Sequence, residues 1–84
     1  MQPRFFYATV INDKGKVGLM AGPFASEAKA REWLPAARKA VDDFDPRAPW
    51  YAYGAVGLEP APGKAAPRGV LNARLEVPAA DLIA

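Results

Sequence analysis

The chain has 84 residues, 51% of them hydrophobic and 24% charged, with a formal net charge of +2 and neither cysteine nor histidine. That length predicts one domain whose single core is marginally stabilising, a size at which self-association is a common supplement. The missing residue types exclude disulfides, thiolate chemistry, His-based triads and Cys/His zinc sites. The small positive charge permits nucleic acid as a partner and argues against an acidic DNA mimic.

Met1–Arg4 leads straight into a strand and shows no signal-peptide cleavage pattern, and no apolar run approaches the roughly 20 residues that span a bilayer. The expectation is a cytoplasmic protein with no membrane partner. Phe5–Ile11 is rich in aromatic and β-branched residues and reads as a strand. Side chains alternate across a strand, so Phe6, Ala8 and Val10 share one face, and Phe5, Tyr7, Thr9 and Ile11 the other. Both faces are largely apolar, which places this strand in the middle of a small sheet.

Asn12–Lys16 is turn chemistry, with Gly15 free to take positive φ. Val17–Gly22 then reads as the return strand of a hairpin, with Val17, Leu19 and Ala21 on one face and Met20 on the other. Gly18 and Gly22 mark close approach, and aromatics of the neighbouring strand can lie over them. Ser26 is an N-cap candidate, followed by Glu27 where the helix dipole favours an acid. From Ser26 to about Phe44, Ala30, Trp33, Ala37, Val41 and Phe44 recur at three- and four-residue steps, with Trp33 as the expected main anchor. Pro35 interrupts that helix, predicting either a kink over residues 31–35 or two short helices with Pro35 opening the second.

Asp45–Pro49 stops the helix. Trp50–Leu58 is the third strand, with Trp50, Ala52, Val56 and Leu58 on one face and Tyr51, Tyr53 and Ala55 on the other. Pro60–Pro67 reads as an exposed linker. Gly69–Val77 is an edge strand or a short helical turn, and Pro78–Ala84 is a tail whose Leu82 and Ile83 can dock. The whole is an α+β domain in the order ββαβ. Three mostly antiparallel strands, or four with the C-terminal segment, carry one helix, interrupted at Pro35, on one face. The last core strand is expected beside the first, as in β-grasp-like arrangements. Residues 1–59 form the core, and residues 60–84 pack on it or on a partner.

The segment Gly22-Pro23-Phe24-Ala25-Ser26-Glu27-Ala28-Lys29-Ala30 resembles the strand-to-helix junction of SPOR repeats, the peptidoglycan-binding domains of bacterial division proteins. Those domains carry two such βα units and act outside the cytoplasm, whereas this chain shows one unit, so the likeness is confined to the junction. Gly22–Ala30 together with Trp50–Gly54 is similar to small uncharacterised proteins of proteobacterial plasmids, integrative elements and phages. That likeness implies a mobile-element accessory protein and carries no activity with it.

A single helix is expected to cover Phe6, Ala8, Val10, Val17, Leu19, Trp50, Ala52 and Val56. Phe5, Tyr7, Met20, Tyr51 and Tyr53 then collect on the opposite side as an apolar patch, which usually means a partner. The expected function is a non-catalytic binding module that docks a protein or forms a homodimer through that face. One candidate target is a host complex such as a defence nuclease. The alternative is single-stranded nucleic-acid binding, with the aromatics as a stacking platform flanked by Arg4, Lys14, Lys16 and Arg47. Gly54–Gly57 has the bare spacing of a KH-type loop but sits inside a strand without a basic residue. Asp42, Asp43 and Asp45 lack the spacing of a calcium loop and read as a solvated helix end. No spacing singles out an acid–base pair, so no catalysis, metal or cofactor is expected.

Overall fold

The computed structural model describes residues 4–83; Met1–Pro3 and Ala84, and the expectations resting on them, lie outside that range. The element order is β1 (Phe5–Ile11), β2 (Val17–Phe24), α1 (Glu27–Glu32), α2 (Leu34–Phe44) and β3 (Ala52–Leu58). Short 3-10 turns lie at Ala48–Trp50 and Ala79–Asp81. The sheet order is β2-β1-β3, with both pairings antiparallel. β1 is therefore central and β3 lies beside it, as its two apolar faces predict. The fold is α+β, and its order is ββαβ with the helical segment divided in two.

The β1–β2 hairpin turns at Asn12, whose Oδ1 accepts from the Lys14 and Lys16 amides at 2.9 Å each, while Gly15 takes φ +79°. Ser26 caps α1 by accepting from the Lys29 amide at 3.1 Å. Trp33 closes α1, and Leu34–Pro35 opens α2, where a proline loses no helix hydrogen bond. Ala30, Ala37, Ala40 and Val41 are the buried helical positions. Their small side chains let the helix backbone approach the sheet closely. Trp33 is only half-buried, and its ring stacks on that of Phe24 with centroids 6.4 Å apart. Phe44, the last residue of the predicted stripe, remains 56% exposed at the helix end.

Register decides which side of each strand meets the helices. Val10 lies opposite Tyr53, Ala8 opposite Ala55, and Tyr7 opposite Val56. Directly paired residues share a face. Phe6, Ala8, Val10, Tyr53 and Ala55 accordingly pack under α1 and α2. Tyr7, Val56 and Leu58 lie on the reverse side with Leu19 and Val17, which pair with Thr9 and Ile11. The expected covered set is thus correct for β1 and reversed for the other strands. Val17, Leu19, Ala52 and Val56 are on the far side, and Trp50 is 76% exposed in the 3-10 turn ahead of β3.

β2 carries two irregularities. Ala8 pairs with Ala21 but Thr9 with Leu19, so Met20 is an extra residue, and both Met20 and Ala21 reach the helix-side core. A second extra residue falls at Gly22–Pro23, joined by a cis peptide, opposite Tyr7. Gly22 takes φ +134°, and a Cβ there would stand 2.7 Å from the Tyr7 ring and from the Phe6 carbonyl. The anticipated aromatic over a glycine is therefore Tyr7 over Gly22.

Residues 70–76 form helical turns rather than a fourth strand. The amides of Gly69, Val70 and Leu71 donate to the carbonyls of Gly22, Leu19 and Met20 at 3.0, 2.9 and 2.8 Å. Farther on, Leu82 bridges Phe24, and the Ile83 amide donates to Pro23 at 3.0 Å. The outer edge of β2 is thereby closed by the protein's own C-terminal segment. Asn72 fastens it: its Oδ1 accepts from the Gly22 amide at 3.0 Å and its Nδ2 donates to the Gly22 carbonyl. Leu71 joins the core, with Leu75, Val77 and Leu82 packed against it.

Candidate functional site

The five residues expected to form one aromatic face are dispersed. Met20 is 1% exposed, inside the helix-side core. Tyr51 and Tyr53 pack against the same core. Tyr7 is on the reverse side but fully buried, and its hydroxyl donates to the Pro67 carbonyl at 2.7 Å. Burial raises its pKa, because the phenolate would be poorly solvated. Phe5, like Tyr51 and Tyr53, remains partly open, and it lies beneath the Arg4 guanidinium at 5.3 Å.

The other two tyrosines are engaged as well. The Tyr53 hydroxyl donates to the Ala48 carbonyl at 2.9 Å, and Arg38 lies 5.0 Å over its ring. Burial raises the Tyr53 pKa, with the Asp42 charge adding to it. The Tyr51 hydroxyl donates to Asp45 Oδ2 at 2.7 Å. That bond to a carboxylate pushes the Tyr51 pKa up to about 12 and holds Asp45 below the usual carboxylate range. The Arg47 amide also donates to Asp45, at 2.9 Å. Asp45 is thus committed to its own chain.

The flanking cations do not form one group. Arg4 pairs with Glu59 at 2.8 Å at the start of β1, which raises the arginine pKa and lowers that of the glutamate. Lys14 and Lys16 lie beyond the other end of β1, roughly 23 Å away at about 3.3 Å per residue over the strand. Arg47 sits at the lysine end but pairs with Asp13 at 2.8 Å.

Exposed apolar surface gathers at the lysine end. The five large hydrophobic residues that stay well exposed among those described are Ile11 (40%), Val17 (55%), Phe44 (56%), Trp50 (76%) and Val70 (78%). Ile11 and Val17 face each other across the hairpin, and Ile11 pairs with Ala52, two residues after Trp50. Val17, Phe44 and Val70 rim a groove of about 240 Å³. Val10, Gly18, Met20, Val41 and Leu71 form its floor, with Lys16, Asn12 and the Asp45–Tyr51 pair at its margin. Gly18 keeps the floor low, since Val10 Cγ1 lies 3.3 Å from where a Cβ would stand. Arg74 lies 5.5 Å over the Phe44 ring.

The groove volume falls below the range of roughly 300–1,000 Å³ typical of small-molecule sites. It suits one or two apolar side chains. Sequence reading missed it because Val70 and Leu71 come from a segment whose placement depends on Asn72. No family model, curated protein or solved structure matches this chain. Among the described residues, no helix is long and apolar enough to cross a membrane.

Proposed function

We propose that this protein is a non-catalytic docking module that captures an apolar side chain of a protein partner in the groove between β2, the end of α2 and the C-terminal segment. The observation that carries this reading is the collection of exposed large hydrophobics at one end of the molecule. A contiguous apolar patch rimmed by polar groups marks an interaction site. The groove supplies the buried anchor pocket around which interface energies concentrate. Lys14 and Lys16 beside it favour a partner with acidic residues flanking the anchor. The likeness to mobile-element proteins supports an accessory role in that setting, with a host complex as the target.

A second reading, single-stranded nucleic-acid binding, draws support from two exposed rings close to arginines. Trp50 lines one shallow pocket with Asp13 and Arg47, and Phe44 lies under Arg74. These rings replace the three tyrosines as the stacking candidates.

Titrating the labelled protein with short acidic peptides carrying one leucine or phenylalanine tests the first reading by amide chemical shifts. The expected result is perturbation confined to the surroundings of Val17, Phe44 and Val70, lost in Phe44→Ser. Oligonucleotide binding that collapses with salt and with Trp50→Ala supports the second reading instead. No response to either ligand class rejects both.

A further inference from the structure

The two edges of the sheet are treated differently. The β2 edge has two bulges and a proline, and it receives the backbone bonds from residues 69–71 and 83. β3 has none of these devices. Its seven residues, Ala-Tyr-Gly-Ala-Val-Gly-Leu, contain no charge and no proline, and they pair with β1 in unbroken register from end to end. Among the described residues, no backbone hydrogen bond outside the β1 ladder reaches residues 52–58. Isolated proteins blunt such an edge with charges, prolines or bulges, because its outward amides and carbonyls template another strand.

We infer that β3 pairs antiparallel with β3 of a second copy of this chain, about a two-fold axis at Ala55. The occupant follows from the strand's own sequence. Reversed on itself about Ala55, β3 sets Tyr53 against Gly57, Gly54 against Val56, and Ala52 against Leu58. Each non-alanine pair joins a bulky residue to a glycine, and Ala52 meets Leu58. Cross-strand pairs of this kind fill gaps without clashes. The register also preserves facing: the odd positions Tyr53 and Ala55 lie under the helices, and the even positions Val56 and Leu58 lie on the reverse side. Both helical layers then sit on one side of a continuous six-stranded sheet, and the two reverse faces adjoin along Val56 and Leu58. Charge does not oppose the pairing. The strand holds no charge, and the first charge beyond it, Glu59, is already paired with Arg4 at 2.8 Å.

Sedimentation equilibrium of the full chain is the primary test, and it is independent of what the groove binds. The expected mass is twice the 9.0 kDa of one chain. A monomer, including one whose β3 edge serves a different protein, overturns the inference. Gly54→Lys is the disrupting variant, because a Cβ there meets nothing within 4 Å and the single chain tolerates it. It is expected to reduce the mass to one chain; an unchanged dimer places the interface elsewhere. The chain lacks cysteine, so Ala55→Cys introduces one thiol at the axis. Directly opposed strand residues lie about 4.5–5.5 Å apart at Cα, within disulfide reach. Oxidation is expected to link two copies of Ala55→Cys and not of Val17→Cys. Equal linkage of both, or none at Ala55→Cys, refutes the register.

Discussion

Asn72→Ala tests how the C-terminal segment is held. The Asn72 side chain satisfies both backbone groups of Gly22, whose amide sits at the second β2 irregularity. Removing it leaves the Gly22 amide without its partner, at a cost of about 1–3 kcal/mol for a buried unsatisfied donor. The Gly22 carbonyl keeps the Gly69 amide at 3.0 Å, so loss of its second bond adds only about 1 kcal/mol. The sum is about 2–4 kcal/mol. Total stability for a chain of this length is roughly 4–13 kcal/mol at ordinary per-residue values. The variant should therefore lose a large fraction of it. Thermal unfolding followed by circular dichroism is the assay, with an expected fall in midpoint of roughly 8–30 °C at the usual conversion for small domains. A fall under about 2 °C, corresponding to less than about 0.5 kcal/mol, would refute the claim that Asn72 fastens the segment.

Gly69→Ala should act on the same unit, because a Cβ there stands 2.5 Å from Ala21 Cα and 2.7 Å from the Met20 carbonyl. Overpacking of this kind costs about 1–3 kcal/mol. Combined with Asn72→Ala it should cost less than the sum in urea unfolding, since both release one segment; strict additivity counts against a shared role. A chain ended at Glu59 loses the Pro67 acceptor of Tyr7 and the packing of Leu71, Leu75 and Leu82. It should show no cooperative unfolding transition, and a shortened chain as stable as the full one contradicts this. Alkaline titration followed by phenolate absorbance should show Tyr51 ionising near 12, and later than in Asp45→Asn. The folded pKa lies above the ordinary value of 10.0. The Tyr51 contribution to stability is therefore complete below pH 10 and is lost as pH rises from about 10 to about 12. Equal Tyr51 midpoints in the two proteins rule out the carboxylate as the cause. Asp45, with its lowered pKa, has the opposite sign: its contribution is present above the ordinary carboxylate range and declines as pH falls through the folded value.

Local chemistry was readable along most of the chain. The Asn12–Lys16 turn, the Ser26 cap and the division of the helix at Pro35 each follow from a few adjacent residues. So does alternation within β1 and within β3, where Phe6, Ala8 and Val10 do point to one side of their strand and Tyr53 and Ala55 to one side of theirs. The assignment of strand faces to helix or solvent did not follow. It depends on pairing Val10 with Tyr53, and on the extra residue at Met20 that turns Ala21 toward the core. Reversing two strands brought Tyr53 under the helices, with Tyr51 packed against the same core, and left Val17 outside.

The sequence alone determined an α+β chain with a two-sided apolar central strand and no Cys/His chemistry, because hydrophobic alternation, caps and composition are properties of neighbouring residues. Only the tertiary structure decided that Tyr7 lies under Pro67, that Asn72 grips Gly22, and that Val70 and Phe44 frame a groove. Tyr7 and Pro67 are 60 positions apart, and Gly22 and Asn72 are 50 apart. No local pattern signals such a contact. It forms only where the C-terminal segment lies along the edge of β2, held there by the bonds from residues 69–71.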